Sequence, residues 1–323
     1  MKVAVLGAGA IGAYVGAALT RADVEVHLIA RGAHLEAMRA NGVKVFSDRG
    51  DFTAHPHATS DPYEVGPVDI VFLGLKAYSY ASCGDLLAPL MKDSTAVVAA
   101  QNGIPWWYFH GLAGRFEGTR IEAVDPDGAV SKVIPPDRAI GCVVYCSTEL
   151  EAPGVVRHIE GTRFSIGEPD GSLSARCTEL SAAMIEGGLR CPVETDLRRD
   201  IWLKLMGNIS FNPISALTGA TMAEIARDPY TRRLVVSMME ETLAVARALG
   251  SEPEISLERR LAGAERVGGH KTSMLLDVEA GKPLEIDAIM RAPIEIAHLV
   301  GVDVQSLEAV HDVLSLLDRR NAR

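Results

Sequence analysis

Residues 1–31 read MKVAVLGAGAIGAYVGAALTRADVEVHLIAR. Val3 to Leu6 is an apolar run long enough for one buried strand. Gly7, Gly9 and Gly12 follow as G-x-G-x-x-G, and a helical pattern runs on through Ile11, Tyr14, Val15, Ala18 and Leu19. Asp23 marks a turn, and Val24 to Ala30 reads as a second strand. Strand, glycine turn, helix and strand in this order turn a weak glycine motif into a dinucleotide-binding fingerprint.

Each glycine has a task. Gly7 lets the chain turn sharply out of the strand, Gly9 lets a pyrophosphate approach the backbone, and Gly12 lets the helix pack close to the sheet. The helix N-terminus then offers free N–H groups and a partial positive charge. Gly7, Ala8, Gly9, Ala10, Ile11 and Gly12 are therefore the candidate phosphate cradle. The bland alternative is a tight turn that holds no ligand. An acidic residue after the second strand would select NAD, but this chain has Arg31 and no acid beside it. A planar guanidinium suits a 2′-phosphate, which favours NADP, unless Arg31 is only a solvated charge at a helix start.

The 323 residues suggest two domains with ample core, 48% of them apolar and 23% charged, as in a globular protein. A net charge of −10 argues against nucleic acid and against an anionic membrane surface as partners. An anionic substrate would need local cations against that background. Five cysteines without a C-x-x-C suggest neither a disulfide framework nor a zinc knuckle. Cys142 and Cys146, four apart in a strand pattern, read as buried small apolar residues. No targeting peptide and no membrane-spanning run is read, so the cytoplasm is the expected location.

Gly32 to Asn41 reads as a helix with Leu35 and Met38 inward, and Val43–Phe46 with Phe52–His55 as a hairpin. His55 and His57 read as surface residues, and no metal is expected. Val68 to Leu73 is a strand with Lys76 just past its carboxyl end, where ligands of open α/β sheets lie. Ala77 to Leu90 is expected to be a helix and Thr95 to Ala100 a strand. Asn102 follows; it is placed to hold the nicotinamide end or the substrate, or it simply makes the turn. Pro105 to Phe109 is an aromatic run suited to capping a pocket or a subunit contact. Ala139–Ser147, Val155–Ile159 and Arg163–Gly167 alternate like strands, then Leu173–Glu186 reads as a helix and Leu189–Val193 as a last strand.

After Thr195 strand patterns stop and helical periodicity takes over, in segments 196–217, 222–226, 230–249, 255–267 and 293–300. The expected division is thus 1–195 and 196–323. Lys204, Asn208 and Asn212 stand four apart, share one face of an otherwise apolar helix, and look like the polar lining of a cleft. The alternative is a satisfied polar seam. Pro213 should bend or end that helix. In a later cluster from His270 to Asp287, Ser273 is a candidate cap for a helix starting at Met274. Glu285, between Leu284 and Ile286, reads as a partly buried acid in need of a partner. A lysine from the other helix would be one, held charged and oriented for proton donation.

With these residues in view, the chain resembles the ketopantoate reductase family over nearly its whole length. The marks are GAGAIG at 7–12, Arg31, LKA at 75–77, QNG at 101–103, PGVVRH at 153–158, WLKLMGNISFNPISALTG at 202–219 and TSMLLDVEAGKPLEID at 272–287. The resemblance implies an α/β protein with an N-terminal Rossmann-type domain and an all-helical C-terminal domain. It implies hydride transfer from NADPH to the ketone of a small 2-oxo acid, 2-oxopantoate. It makes Lys204 the proton donor and Glu285 the acid that bonds substrate hydroxyl and lysine. Asn208, Asn212 and Ser273 become substrate-binding positions, Asn102 meets both substrate and cofactor, and Lys76 joins the cofactor and substrate site. One departure is a longer, aromatic-rich segment from Trp106 to Pro136, which leaves a related 2-oxo acid open as substrate. A non-catalytic NADP sensor is a second alternative, against which Lys204 and Glu285 weigh. A homodimer through the helical domain is compatible with the sequence, which does not demand it.

Arg31→Ala should remove most of a preference for NADPH over NADH. A charge-assisted pair with phosphate contributes on the order of 1.5–3 kcal/mol, about ten- to a hundredfold in affinity. Titration of both cofactors into both proteins checks this; equal affinities in the unaltered chain would sink it.

Overall fold

The computed structural model describes residues 1–266, 268–269 and 271–321. The expected helix end at Val267 and the residue His270 lie outside them. The chain forms two compact units. One holds Met1–Gln101, Trp106–Arg120 and Gly128–Leu197; the other holds Asn102–Pro105, Ile121–Asp127 and the chain from Arg198 onward.

The first unit is a Rossmann-type α/β fold. Its strands are β1 (Lys2–Leu6), β2 (Glu25–Ile29), β3 (Val43–Phe46), β4 (Phe52–Ala54), β5 (His57–Thr59), β6 (Ile70–Leu73), β7 (Ala96–Ala99), β8 (Ala139–Ala152) and β9 (Val155–Gly167). They form one nine-stranded sheet in the order β4-β3-β9-β8-β7-β6-β1-β2-β5. From β5 to β8 every pair is parallel, whereas β8–β9 and β3–β4 are antiparallel. Val3, Ala4, Val5 and Leu6 are all buried, as are all four residues of β6 and of β7. Strands that are apolar on both faces must be covered on both, which is why these read as unbroken runs. The helices of this unit are α1 (Ala10–Arg21), α2 (Gly32–Asn41), α3 (Pro62–Val65), α4 (Gly84–Leu87), α5 (Ala129–Val133) and α6 (Ala175–Glu186). Leu35 and Met38 point inward from α2, and Asp23 makes its turn with φ 54°.

Several local expectations give way. The helix expected over 77–90 is a 3₁₀ turn at Ala77–Ser79, the single turn α4, and another 3₁₀ turn at Ala88–Leu90. The Ser82 N–H and hydroxyl both donate to the Ser79 carbonyl, and Pro89 has no N–H to give; both weigh against one continuous ladder. The expected strand 189–193 runs parallel to β9 as two isolated bridges, at Arg190 and Val193, with Pro192 between them giving its carbonyl to Ile166 but having no N–H to return. The two strand patterns 155–159 and 163–167 are one strand, β9, with Gly161 at φ 69°. The aromatic run is core of this unit. Trp106, Trp107, Tyr108 and Phe109 are all buried, the Trp106 indole N–H donates to the Ile134 carbonyl, and Tyr80 packs edge-on against Trp106.

The cysteines are free thiols. Burial pushes Cys177 and Cys191 up to about 12 and Cys83 up to about 11, so these three stay protonated at neutral pH. His57 faces His27 across the β2–β5 ladder, Nδ1 to Nδ1 3.2 Å. Among the described residues no cluster of three His, Cys, Asp or Glu is grouped to hold a metal. No helix among them is long and apolar enough to cross a membrane.

The second unit is helical among its described residues, with α7 (Leu197–Thr218), α8 (Met222–Arg227), α9 (Pro229–Ala248), α10 (Leu257–Arg266), α11 (Ser273–Glu279), α12 (Ala292–Val300) and α13 (Gln305–Asn321). Helix α7 buries Trp202, Leu205, Met206, Ile209, Phe211 and Ile214. It continues through Pro213 to Thr218 instead of ending there. A capping box between Thr221 and Glu224 starts α8, and Asp228 caps α9 with Pro229 at its first position. Helix α13, absent from the segments read above, buries Leu307, Val310 and Leu314 at helical spacing.

One buried ion pair pins α6 to the sheet. Glu168 accepts from Arg176 at 2.7 and 2.5 Å and from the Ser174 hydroxyl at 2.5 Å. Burial raises its carboxyl, but the bonds from Arg176 and Ser174 and the Arg176 charge outweigh burial and hold it below the usual range. A lowered folded pKa contributes stability above the unfolded value, about 4.3, and loses it as pH falls through the folded one. Glu168→Gln should therefore cost about 1.5–3 kcal/mol at pH 7, with the gap closing in acid. Urea unfolding at pH 7 and pH 3 checks this; a gap that does not narrow would refute it.

Candidate active site

In the first unit one residue row crosses the sheet level: Ile29, Leu6, Leu73 and Ala99. The segments after β1, β2 and β6 therefore leave from the same carboxyl edge. The Gly7 and Ala8 N–H groups both donate to the Ile29 carbonyl, at 3.3 and 3.2 Å, and tie the glycine turn to the end of β2. A Cβ at Gly12 would run into the Gly7 carbonyl oxygen, so only glycine allows α1 to start this close to the strand. At Gly9, which caps α1, nothing stands within 4 Å of the place of a Cβ, leaving an open approach to the helix N-terminus. Ala10 and Ile11 form the first turn of that helix. Arg31 is exposed at the start of α2, and Lys76 is half-buried just before the 3₁₀ turn that follows β6.

His34 escapes the sequence reading. Its Nε2 lies 2.7 Å from the Ala8 carbonyl oxygen and its Nδ1 receives the Gly154 N–H at 2.9 Å. No spacing pattern marks it. A helical histidine with no polar neighbour of its own kind gives no signal.

In the second unit three distant residues meet. The Lys204 ammonium donates to the Asn102 Oδ1 at 2.7 Å, and the Asn102 Nδ2 donates to the Glu285 Oε2 at 3.1 Å. Glu285 is buried at 6% exposure, where a carboxylate needs such a donor. Lys204 comes from α7; Glu285 stands just ahead of the wide π-helical turn Asp287–Arg291, on which α12 continues. Asn102 is brought in by its own neighbours. Ile104 N–H donates to the Ala288 carbonyl at 2.8 Å, and Gly103, at φ 79°, lies so close that a Cβ would collide with that carbonyl.

Asn208 and Asn212 follow Lys204 on α7, Asn208 half-buried and Asn212 buried. Gly207 leaves room for the Arg260 guanidinium, whose Cζ and Nε lie 2.8 and 3.0 Å from where a Cβ would be. Lys204 and Arg260 thus put two cations at one stretch of α7. Ser273 is exposed as the first residue of α11, and the cap is Thr272, whose hydroxyl accepts the Leu275 N–H at 3.2 Å. Adjacent hydroxyls compete for that position, and the buried one takes it.

A glycine-turn α/β unit joined in one chain to an all-helical unit is the build of a dinucleotide-dependent oxidoreductase. The chain belongs to the ketopantoate reductase family: residues 3–171 match the family model described as ketopantoate reductase PanE/ApbA, and residues 196–318 match its C-terminal model. It is 50% identical over 311 residues to the 2-dehydropantoate 2-reductase of Mesorhizobium japonicum, covering 96% of this chain and 95% of that one. A crystal structure of 2-dehydropantoate 2-reductase from Geobacter metallireducens GS-15 superposes with TM-score 0.85 at 32% identity, covering 98% of this chain and 99% of that one. A structure of D-mandelate dehydrogenase with NADH and anilino(oxo)acetate shares the fold at TM-score 0.82 and 21% identity, covering 99% of each chain.

Gly103→Ala should destabilise the protein by more than the about 1–2 kcal/mol that left-handed strain alone costs, because the new methyl also meets a carbonyl. Gly219→Ala, at φ 74° with nothing within 4 Å, should show the strain alone. Denaturant midpoints of the two variants check this; equal losses would show that the Ala288 contact does not matter.

Proposed function

We propose that this protein reduces 2-dehydropantoate (ketopantoate) to pantoate, with NADPH as the reductant and Lys204 as the proton donor. The observation that carries the reading is the hydrogen-bonded line Lys204–Asn102–Glu285 in a member of this family. Reduction of a ketone builds negative charge on its oxygen. An ammonium within hydrogen-bond reach stabilises that charge and then gives up a proton. Asn102 accepts from the Lys204 ammonium and so fixes its direction, while Glu285 takes up the other end of the amide. Lys76 attends the cofactor and substrate, and Asn208, Asn212 and Ser273 supply polar contacts to the substrate. NADPH, when bound, supplies the hydride.

A nicotinamide dinucleotide is the family's cofactor, and the exposed Arg31 at the start of α2 supports NADPH over NADH. Residues Gly7 to Gly12 would receive the pyrophosphate at the α1 N-terminus. The division of labour between residues 1–195, for the cofactor, and 196–323, for substrate and catalysis, belongs to this proposal, as do a cytoplasmic location and a homodimer.

Lys204→Ala should fold, bind NADPH within about threefold of the unaltered protein, and lose roughly 10²–10⁴-fold in turnover. Lys204→Arg should also be slow, since a guanidinium gives up a proton with great difficulty. Glu285→Ala should lose rate and substrate affinity, and the double variant should lose less than the sum, because members of one network couple. Steady-state kinetics with ketopantoate and a panel of other 2-oxo acids, beside NADPH titrations, check this. Turnover of Lys204→Ala within about threefold of normal would overturn the mechanism, and no turnover of ketopantoate by the unaltered protein would overturn the substrate.

A further inference from the structure

We propose that His34 is a positioning residue for the cofactor, holding the glycine turn in the form that binds a pyrophosphate. This rests on the reading of residues 7–12 as the phosphate cradle. A turn that offers N–H groups to an anion also contains carbonyl oxygens, and one aimed at the phosphates would repel them. Ala8 is the residue between Gly7 and Gly9, and its carbonyl is the group to be held away.

His34 does this from α2. Its Nδ1 receives the Gly154 N–H at 2.9 Å, and a nitrogen that accepts a hydrogen bond carries no proton. The proton of the neutral ring therefore sits on Nε2, which donates to the Ala8 carbonyl at 2.7 Å. Gly154 lies in the turn between β8 and β9, at φ 74°, where an added Cβ would come 3.1 Å from the Ala37 Cβ on α2. One imidazole thus ties three segments together: the cradle, the helix that begins after Arg31, and the β8–β9 turn. The Gly7 and Ala8 N–H groups are already fixed on the Ile29 carbonyl. With the Ala8 carbonyl also fixed, the peptides on both sides of the Ala8 Cα are tied, and the carbonyl is kept from swinging toward an incoming anion.

The chemistry predicts which replacements succeed. Glutamine carries an N–H donor and a carbonyl acceptor, so His34→Gln can donate to Ala8 and accept from Gly154. His34→Ala can do neither. A ligand lacking the pyrophosphate should be indifferent to the change, because only the pyrophosphate meets the turn. NADPH and adenosine 2′-monophosphate are the two probes, titrated calorimetrically into the unaltered protein and both variants, with melting temperatures measured in parallel.

The expected result is that His34→Ala weakens NADPH by about tenfold and leaves adenosine 2′-monophosphate within about twofold. His34→Gln should bind NADPH within about threefold of the unaltered protein, and turnover at saturating NADPH should change little in either. If His34→Ala binds NADPH normally, or weakens both probes equally, the proposal is overturned and the histidine is only a structural tie. Failure of His34→Gln to recover NADPH binding overturns it as well. If the unaltered protein binds no NADPH, the reading of the cradle itself fails, and this proposal falls with it.

Discussion

A carboxylate taken out of water must be met by donors, and at Glu285 the donor described is the amide of Asn102. That requirement organises the second unit. Asn102 reaches the acid only because residues 102–105 dock on the turn around Ala288, and they can dock only with glycine at 103. The amide then has its oxygen left for the Lys204 ammonium. Each member has its direction set by the next, which a lone lysine on an apolar helix would not have. The wide turn at Asp287–Arg291 fits the same demand, since a π-helical turn re-aims the backbone where a regular helix would not present the Ala288 carbonyl to the visiting segment.

The first unit solves a different problem. Anion binding by backbone N–H groups needs a helix that starts close to a strand, with the strand ends level. Register supplies the second condition through the row from Ile29 to Ala99. Gly12 supplies the first, by leaving the Gly7 carbonyl untouched. The remaining bonds around the turn, from Gly7 and Ala8 to Ile29 and from His34 to Ala8, hold the loop in shape before any ligand arrives.

Much of this was legible in the sequence where a period ran unbroken. The strands β1, β2, β6 and β7, the hairpin β3–β4, and the helices α1, α2, α7 and α9 follow from apolar patterns with clear turn residues between them. The stretch 77–90 failed because its apolar residues suit a helix while its serines and Pro89 disfavour one, and local bonds such as Ser82 to Ser79 won. The aromatic run was ambiguous for another reason: Trp106 to Phe109 fill a core, and large rings at a core or at a pocket rim look alike in one sequence. At the site, the face shared by Lys204, Asn208 and Asn212 could be read from their spacing. Their connection to Asn102 and Glu285 could not, because 102 residues separate Lys204 from Asn102 and 183 separate Asn102 from Glu285. A lysine partner for Glu285 was expected from the acid's apolar neighbours, and the family resemblance put Asn102 in the same site. His34 lay outside both kinds of argument.

Those separations bear on how the protein is made. Residues 102–105 and 121–127 leave the ribosome among segments of the first unit, yet they belong to the second. Their partners, Ala288 for Ile104 and Glu295 for the N–H groups of Glu122 and Ala123, are synthesised more than 160 residues later. Contacts of such range close late, after the entropy of a long loop has been overcome. During synthesis at about 5–20 residues per second, these two stretches wait for many seconds without their native neighbours. Asn102 is thus among the earlier site residues to be made, and it is held idle until Glu285 has been added.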